Sequence, residues 1–445
     1  MSEVRRRAEA ARRASSAMAG LGVDARDAAL RGIAESIWDH RDALLEANGR
    51  DMAAAEAMLS RGEIAGAVMK RLELTREKVK EIVDMVRSVA SLADPIGRTV
   101  YSMQLDEGLE LYRVTSPIGV VAVIFESRPD ALPQIACLCL KSGNSVVLKG
   151  GSETQFTNQR LYSVIRDSAQ SLPEGWIQLL EDREDVKRLL DMGDLVDLIV
   201  PRGSNSFVSY IQSNTSIPVL GHSEGVCHVY VDKDADVGMA VEVCYDSKVQ
   251  YPSVCNAVDA ILVHSDVADE FLPRLLERFA GGVEVRGCGG VLERVKDGVV
   301  RATEADWGRE YLDYVVAARV VDSLGEAVEY VNKYGSHHTD AIVSSSGEAA
   351  LRFMGAVDSA SVFWNASTRF ADGYRYGLGS EVGISTGKIH ARGPTGLDGL
   401  TIYKYYLKGR GHIVADYVGA KARSFKHRAM NKKWVRASTT SLPDG

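Results

Sequence analysis

The hydrophobic positions of the chain follow a helical period at first and a strand–helix alternation later. Between residues 2–95, apolar positions such as Leu30 and Ile33 recur at helical spacing with charges between them, which predicts amphipathic helices. Two apolar runs, 100–105 and 109–114, then flank an Asp-Glu-Gly sequence. A glycine-containing turn between two such runs predicts a β-hairpin.

Short apolar runs alternate with helical segments after the hairpin. The predicted strands are 117–125, 145–149, 176–180, 195–200 and 226–231. The predicted helices are 130–141, 155–171, 186–192 and 207–213. Because continuous apolar strands that alternate with helices form a parallel sheet covered on both faces, this pattern predicts an α/β domain. A second α/β region, 232–395, includes a predicted strand at 257–263 and a helix at 268–279, and the tail 400–417 is predicted to be strand.

The composition is that of a globular protein with more than one domain. The chain has 445 residues, of which 45% are hydrophobic and 25% charged, and this length exceeds one ordinary core. A net charge of −7 argues against nucleic acid as the main partner, and no apolar run has the length of a membrane span. The segment 421–436 carries seven Lys/Arg and no acid. We expect it to be solvated or packed on a partner, rather than to bind nucleic acid or a membrane surface.

The cysteines do not follow a disulfide or zinc-binding pattern. They are Cys137, Cys139, Cys227, Cys244, Cys255 and Cys288. No CxxC pair occurs among them, and we expect a reduced, cytoplasmic compartment. Cys255 follows Pro252-Ser253 and precedes a predicted strand, where a substrate can reach its thiol. Cys137 and Cys139 lie in an apolar helical run and are expected to be structural.

Two predicted strand ends are suited to phosphate or ribose, although no early strand is followed by a GxGxxG fingerprint. One is the Lys-Gly-Gly-Ser run at 149–152, and the other is the Arg-Gly-Ser run at 202–204, which opens a helix. Parallel sheets bind nucleotides at the carboxyl ends of their strands, and helix N-termini favour anions. A purely steric glycine turn is the alternative for each run.

Several other polar residues are candidates for binding an anionic substrate. Lys388, His390 and Arg392 share a glycine-flanked loop, for which an ordinary polar loop is the alternative. Arg128 lies between a predicted strand and the helix after it, where a guanidinium can hold phosphate or carboxylate bidentately. The neighbouring histidines at 337–338 point to opposite faces if they lie on a strand. We therefore expect no metal site at this pair.

Nine short motifs follow one another along the chain. They are Ser116–Val120, Ile124–Asp130, Ser145–Gly151, Asp197–Ser204, Tyr251–Asn256, Glu310–Asp313, Tyr334–Ala341, Ser385–Gly393 and Gly399–Lys404. In this order they resemble the γ-glutamyl phosphate reductase family of the aldehyde dehydrogenase superfamily. The resemblance covers roughly residues 5–415. Each motif alone is weak, but the set in order is specific.

The resemblance implies an α/β fold of the aldehyde dehydrogenase type, with two Rossmann-like doubly wound domains and a β-strand oligomerisation arm. The implied parts are an NADP-binding domain at 1–100 and 125–231, a catalytic domain at 232–395, an arm at 100–124 and 396–417, and a basic extension at 418–445. An arm gives long exposed strands a partner, since an unpaired edge favours aggregation. We therefore expect a homodimer or homotetramer.

The resemblance also implies roles for individual residues. Arg128 stands where oxidising aldehyde dehydrogenases have an asparagine oxyanion donor, and their water-activating glutamate falls near His222. Ser152 stands where an acidic residue binds the ribose of NAD, which favours NADPH. The expected cofactor ligands are Lys149, Gly150, Ser152, Gly203, Ser204 and Glu310. The expected substrate ligands are Arg128, Asn256, Lys388, His390 and Arg392, and the expected nucleophile is Cys255.

The implied activity is the NADPH-dependent reduction of L-glutamate 5-phosphate to L-glutamate 5-semialdehyde and phosphate, the second step of proline biosynthesis. The acyl group would pass through a thioester on Cys255. One alternative is an acylating dehydrogenase of another acyl phosphate or of an acyl-CoA. An alternative of another class is a cysteine acyltransferase that uses no nicotinamide.

Overall fold

The structure is a computed structural model that describes residues 2–62, 69, 71–126, 128–182, 184–222 and 224–435. The chain divides into two compact units. The first comprises Met1–Leu220, Leu378–Gly383 and Thr395–Gly445, and the second comprises Gly221–Gly377 and Ile384–Pro394. The boundary at 220 lies upstream of the predicted one at 231, because the strand Cys227–Val231 joins the sheet of the second unit.

The N-terminal part of the first unit is helical, as the apolar spacing predicts. Its helices are Glu3–Gly20, Val23–Asp39, Arg41–Ser60 and Arg76–Ser91. The last of these begins after Thr75, whose side chain accepts a hydrogen bond from the Lys78 amide. It buries an apolar stripe that includes Val79, Val83 and Val86, which is the face that the period of 3.6 predicts. Residues 63–68 and 70 of the predicted helical region lie outside the described part of the chain.

A parallel sheet forms the centre of the first unit. Its strands are β3 (Val120–Phe125), β4 (Ser145–Lys149), β5 (Ile177–Leu180) and β6 (Leu198–Arg202), in the order β5-β4-β3-β6. The helices between and after these strands are Ala131–Lys141, Gln155–Ser168, Glu184–Leu190 and Asn205–Ser213. The predicted alternation is confirmed. The continuous strand predicted over 117–125 is wrong, because the chain is interrupted before Val120.

Gly119 and Asp197 explain this interruption. Gly119 has φ +134°, a value that side-chain-bearing residues rarely adopt. A Cβ at Gly119 would overlap the Asp197 carboxylate. That carboxylate accepts from the Val120 amide at 2.8 Å and from Arg12 at 2.8 and 3.0 Å. One carboxylate therefore fixes the start of β3 and ties it to the first helix.

The first unit also contains an antiparallel sheet. Its strands are β1 (Thr99–Asp106), β2 (Leu109–Pro117), β16 (Thr401–Lys408) and β17 (Arg428–Ala429), in the order β16-β2-β1-β17. The predicted hairpin is confirmed. The strand predicted over 400–417 is wrong after Lys408, because Gly411 has φ +83° and the Arg410 amide donates to His412 Nδ1 across a turn. A 3₁₀ turn at Val414–Tyr417 follows.

The basic C-terminal segment packs on this antiparallel sheet as far as it is described. Lys432 pairs with Glu110 of β2, and Lys426 lies 3.5 Å from Asp106 of β1. The indole of Trp434 stacks on Tyr406 with a 4.6 Å centroid separation. Basic side chains of this segment thus pair with acidic side chains of the β1–β2 hairpin, which explains why the segment lies along it.

A second parallel sheet forms the centre of the second unit, in the order β10-β9-β11-β8-β7-β12-β13. Its strands are β7 (Cys227–Val231), β8 (Val258–His264), β9 (Glu284–Gly287), β10 (Val299–Arg301), β11 (Val315–Val321), β12 (Thr339–Val343) and β13 (Ser361–Trp364). Its helices are Val237–Val249, Ser265–Phe279, Gly289–Arg294, Leu324–Tyr334 and Gly347–Ala356. Both faces are covered: Phe271 and Leu275 pack on one side of the sheet, and Tyr330 and Phe353 on the other.

Two short strands, β14 (Gly383–Ser385) and β15 (Gly393–Thr395), pair with each other near the end of the second α/β region. The loop between them contains Lys388, His390 and Arg392. Within the described residues, no helix combines the length and the apolar character needed to cross a membrane.

We predict that Gly119→Ala destabilises the protein more than Gly411→Ala. Both glycines have positive φ, but nothing lies within 4 Å of a Cβ at Gly411. The control variant therefore bears only the backbone cost, about 1–2 kcal/mol, whereas Gly119→Ala also displaces the Asp197 carboxylate. Urea denaturation followed by tryptophan fluorescence measures both variants. Equal denaturation midpoints would show that the Asp197 contact does not stabilise the first unit.

Candidate active site

Cys255 lies in a turn immediately before strand β8 and is partly exposed. By contrast, Cys137, Cys139 and Cys244 are fully buried in helices. Burial raises the thiol pKa of each of these three, which keeps them protonated and inert. The predicted structural role of Cys137 and Cys139 agrees with this burial. Cys255 has the access that a nucleophile requires.

Gly225 packs directly against Cys255. A Cβ added at Gly225 would lie 2.5 Å from the Cys255 Cβ and 2.6 Å from its Cα, which are distances that real Cβ atoms do not show. The segment that leads into β7 and the turn that leads into β8 meet here because the two strands are parallel neighbours. The sequence pattern gave no signal for Gly225, since its partner is distant in the chain.

Two side-chain hydrogen bonds fix the turn that contains Cys255. The thiol of Cys227, in β7, donates to the Cys255 carbonyl at 3.2 Å. The side-chain amide of Asn256 donates to the Ala371 carbonyl at 2.7 Å, and Asn256 is only 4% exposed. Asn256 therefore anchors the turn in this structure, and its predicted contact with substrate stays a prediction.

Two histidines lie beside the Cys255 thiol. A ring nitrogen of His222 and one of His338 lie within 4.8 Å of each other and of Cys255 Sγ. His222 is half-buried, and its Nδ1 lies 3.0 Å from the Ile384 carbonyl. His338 is 1% exposed. Burial, with a smaller contribution from His222, lowers the pKa of His338 well below its usual value, so this imidazole is neutral at neutral pH.

The neighbouring histidines at 337–338 diverge in the structure. His337 Nδ1 lies 2.6 Å from the Asp358 carbonyl, whereas His338 Nδ1 lies 2.8 Å from the Thr339 hydroxyl. The group formed by His222, Cys255 and His338 is a different set from the pair considered in the sequence. Its members are distant in the chain, so spacing could not reveal it.

Arg369 is a buried cation whose charge interacts with Cys255. It is 8% exposed, and its Nε donates to the Gln250 side chain at 2.9 Å. Burial lowers the pKa of Arg369 and Arg375 adds to this shift, while Cys255 acts in the opposite direction. An opposite charge nearby favours a thiolate. No local sequence pattern marks Arg369 as a member of the site.

Glu310 lies next to a buried ion pair. The carboxylate of Asp259, in β8, accepts from the Tyr311 amide at 3.1 Å and lies 3.4 Å from Lys248 Nζ. Burial raises the pKa of Asp259 to about 6, although Lys248 opposes the shift, and the charge of Glu310 adds to it. Asp259 thus fixes the backbone beside Glu310 to the strand that begins just after the Cys255 turn.

The predicted anion-binding cations of the 385–394 loop gather around Asp358. Lys388 Nζ lies 2.7 Å from one carboxylate oxygen of Asp358, and Arg392 Nη1 lies 2.9 Å from the other. Hydrogen bonds from Lys388 and Arg392 lower the pKa of Asp358 to about 2. His390 is exposed on the same loop. A substrate anion bound here has to share Lys388 and Arg392 with Asp358.

The predicted cofactor ligands of the first unit lie at the carboxyl ends of the strands of its parallel sheet. In the parallel pairing, Lys149 of β4 is opposite Ile124 of β3, and Arg202 of β6 is opposite Phe125 of β3. The ends of these strands are therefore neighbours, as expected for a nucleotide site in a parallel sheet. Gly150 and Ser152 follow β4, and Gly203 and Ser204 follow β6. Ser152 opens a 3₁₀ turn and is exposed.

Glu126 connects two of these strand ends. Its carboxylate accepts from the Ser204 amide at 3.0 Å, and a Cβ on Gly203 would overlap it. The Ser204 amide precedes the helix Asn205–Ser213, so it is placed to hold a negative group. Arg128, further along the same loop, is exposed and pairs with Asp130 at 2.9 Å.

The chain matches the aldehyde dehydrogenase family model over residues 1–283. It is 55% identical over 427 residues to the γ-glutamyl phosphate reductase of Natronomonas pharaonis, covering 96% of this chain and 98% of the relative. It is 52% identical over 437 residues to that of Pelotomaculum thermopropionicum, covering 98% of each. The crystal structure of γ-glutamyl phosphate reductase from Thermotoga maritima matches with a TM-score of 0.89 and 38% identity, covering 93% of this chain and 100% of that chain.

The chain therefore belongs to the aldehyde dehydrogenase family, which makes it an oxidoreductase. Within that family it groups with the γ-glutamyl phosphate reductases, as the order of its sequence motifs predicts. The predicted fold class, with two doubly wound α/β domains and an antiparallel arm, is confirmed.

We predict that Gly225→Ala impairs the nucleophile more than it impairs folding. The added methyl must displace the Cys255 turn, and a shift of about 1 Å at a reacting group can cost about 100-fold in rate. The measurements are the rate of Cys255 alkylation by iodoacetamide, read by mass spectrometry, and the reductase turnover. Gly347→Ala is the control, because its Cβ would make an ordinary 3.7 Å contact with Trp364. Equal alkylation rates in the two variants would contradict the proposed constraint.

Proposed function

We propose that the protein reduces L-glutamate 5-phosphate to L-glutamate 5-semialdehyde and phosphate with NADPH, through a thioester on Cys255. The observation that carries the proposal is the partly exposed Cys255 turn in a chain that groups with γ-glutamyl phosphate reductases. The names of those relatives specify a glutamyl phosphate substrate. The turn supplies a thiol that substrate can reach, with a buried cation nearby.

The Cys255 thiolate attacks the acyl carbon of the substrate. The bond between this carbon and the phosphate oxygen breaks, and phosphate leaves with the electron pair, which gives the thioester. NADPH, when bound, supplies the hydride that reduces the thioester to a thiohemiacetal. Collapse of the thiohemiacetal releases the semialdehyde and regenerates the thiolate. Attachment to Cys255 holds the acyl carbon in place for hydride delivery.

Side chains around the turn support the individual steps. The charge of Arg369 favours the thiolate and opposes its protonation. The backbone amide of Cys255 is the proposed oxyanion donor, and such a donor is typically worth about 10²–10³ in rate. The resemblance implies that the water-activating glutamate of oxidising relatives falls near His222. A site without that carboxylate does not activate water by this route. It suits an enzyme in which phosphate, rather than water, attacks the thioester in the reverse reaction.

The cofactor and substrate ligands are proposed as follows. Lys149, Gly150, Ser152, Gly203 and Ser204 bind the nucleotide at the strand ends of the first unit, and Glu310 holds the nicotinamide ribose. Arg128, Asn256, Lys388, His390 and Arg392 bind the phosphate and α-carboxylate of the substrate. An exposed, neutral Ser152 tolerates a ribose 2′-phosphate, which supports NADPH over NADH.

The antiparallel sheet is proposed to be the oligomerisation arm of a homodimer or homotetramer. Strand β16 is an edge of this sheet. It exposes Tyr403, Tyr405 and Leu407, which are 47%, 57% and 59% accessible. An exposed edge strand is a template for pairing with another chain, and a second copy of this chain is the simplest partner.

We predict that Cys255→Ser abolishes the reverse reaction, the phosphate- and NADP-dependent oxidation of L-glutamate 5-semialdehyde supplied as its cyclic form, pyrroline-5-carboxylate. The expected loss is several orders of magnitude. Binding of NADPH should remain, because Cys255 is not among the proposed nucleotide ligands. A ligand at ~100 times its dissociation constant adds ~2.7 kcal/mol to stability, so a raised melting temperature reports the binding. Cys288→Ser, which changes another partly exposed cysteine, is the control and should be fully active. Near-normal turnover of Cys255→Ser would overturn the mechanism, and loss of NADPH protection in the wild type would favour an acyltransferase.

We predict that Ser152→Asp shifts the cofactor preference from NADPH toward NADH. The new carboxylate repels the 2′-phosphate, and like-charge contacts cost several kcal/mol, so the KM for NADPH should rise by at least about tenfold. Ser152→Asn is the matched neutral control and should keep the wild-type preference. The KM values for both cofactors in the three proteins decide the outcome. An unchanged ratio in Ser152→Asp would move the 2′-phosphate away from this turn.

A further inference from the structure

We propose that His222, Cys255 and His338 form a binding site for one Zn²⁺ ion, and that zinc bound there reversibly blocks the nucleophile. The binding part rests on the geometry of the second unit. The blocking part rests also on the proposed function of Cys255. The three donors are a thiol and two imidazoles, the set that Zn²⁺ prefers in proteins.

The distances of the cluster are close to those of a zinc site. One donor atom from each residue lies within 4.8 Å of the other two. Zinc binds sulfur at about 2.3 Å and imidazole nitrogen at about 2.0–2.1 Å, so donors on one tetrahedral ion are about 3.4–3.6 Å apart. Rotation of the Cys255 side chain, which is partly exposed, can bring its thiol closer to the two imidazoles.

Both histidines already have the outer hydrogen bonds that metal ligands require. His222 Nδ1 faces the Ile384 carbonyl at 3.0 Å, and His338 Nδ1 faces the Thr339 hydroxyl at 2.8 Å. A histidine that donates from one ring nitrogen to such an oxygen offers the lone pair of the other nitrogen to a metal. The bonds also fix the orientations of the two rings, whose centroids are 5.0 Å apart.

A buried nitrogen without a partner points independently to a ligand. Among the described residues, His338 Nε2 is buried and has no hydrogen-bond partner. An unsatisfied buried polar atom typically costs about 1–3 kcal/mol, and a metal ion would satisfy it.

The chemistry of the cluster selects among metals. The group contains no carboxylate among its members, so hard ions such as Mg²⁺ and Ca²⁺ are disfavoured. On zinc binding, the Cys255 S–H bond breaks, its proton passes to solvent, and the thiolate electron pair forms the Zn–S bond. Three protein ligands leave a fourth position for water. A thiolate bound in this way cannot attack an acyl phosphate, and an acylated Cys255 cannot bind the ion.

The binding test uses the full-length protein, freed of metal with a chelator and without substrate or cofactor. Equilibrium dialysis against Zn²⁺ should give one ion per chain, and substitution by Co²⁺ should give a thiolate-to-cobalt charge-transfer band. Cys255→Ser should lose the band, and His222→Ala should weaken Zn²⁺ binding by more than about 100-fold, the upper range for loss of one supporting group. His338→Leu should weaken Zn²⁺ binding to a similar extent. If His338→Leu does not fold, the result for His222→Ala tests the site.

Matched controls separate this site from other thiols and imidazoles. Cys288→Ser and His427→Asn remove a partly exposed thiol and an exposed imidazole outside the cluster, and they should bind zinc like the wild type. Absence of stoichiometric binding, or binding that Cys255→Ser and His222→Ala leave unchanged, would overturn the site. Zinc should also slow Cys255 alkylation and inhibit turnover, with recovery on chelation. Binding without inhibition would overturn the blocking role alone. Dialysis and alkylation do not depend on which acyl substrate the enzyme uses, so they test the site even if the proposed function fails.

Discussion

The contact between Gly225 and Cys255 is the constraint on which the geometry of the second unit's site depends. The two residues precede adjacent parallel strands, β7 and β8, so the sheet brings both segments to the same edge. No side chain fits between them. The Cys227 thiol and the Asn256 amide then fix the turn by hydrogen bonds. The Cys255 thiol is thus positioned by backbone packing and by the sheet, and not by the local preference of the turn residues.

The same packing determines the electrostatic surroundings of the thiol. Arg369, in the 3₁₀ turn Thr368–Phe370, interacts with Cys255 through its charge. The imidazoles of His222 and His338 lie beside the thiol. Burial keeps His338 neutral, while the charge of Arg369 interacts with Cys255. A nearby cation favours a thiolate, and a thiolate with two imidazoles is also a ligand set for zinc. The proposed thioester chemistry and the proposed zinc site therefore depend on the same surroundings of one thiol.

The first unit uses its sheet in a comparable way. Polar and glycine residues follow β4 and β6, while the strands themselves are buried. Glu126 follows β3, the strand between β4 and β6, and its carboxylate accepts a hydrogen bond from the Ser204 amide. The Ser204 amide precedes a helix N-terminus, where a negative group is stabilised. The Asp197 carboxylate serves a structural purpose at the opposite end of β3, where it fixes the Val120 amide and the first helix.

Periodicity and turn residues act over short distances. They therefore predicted the helices of the N-terminal region, the strand–helix alternation, the hairpin and Cys255 as a candidate. They placed the Lys149 and Gly203 runs at strand ends for the same reason. They missed the break at Gly119 and the end of β16 at Lys408, since both depend on backbone conformation. Three features appear only in the folded chain: the interaction of Arg369 with Cys255, the contact of Gly225 with Cys255, and the pairing of Lys388 and Arg392 with Asp358. Contacts between residues that are distant in the chain have no local pattern, and only the packed sheet brings them together.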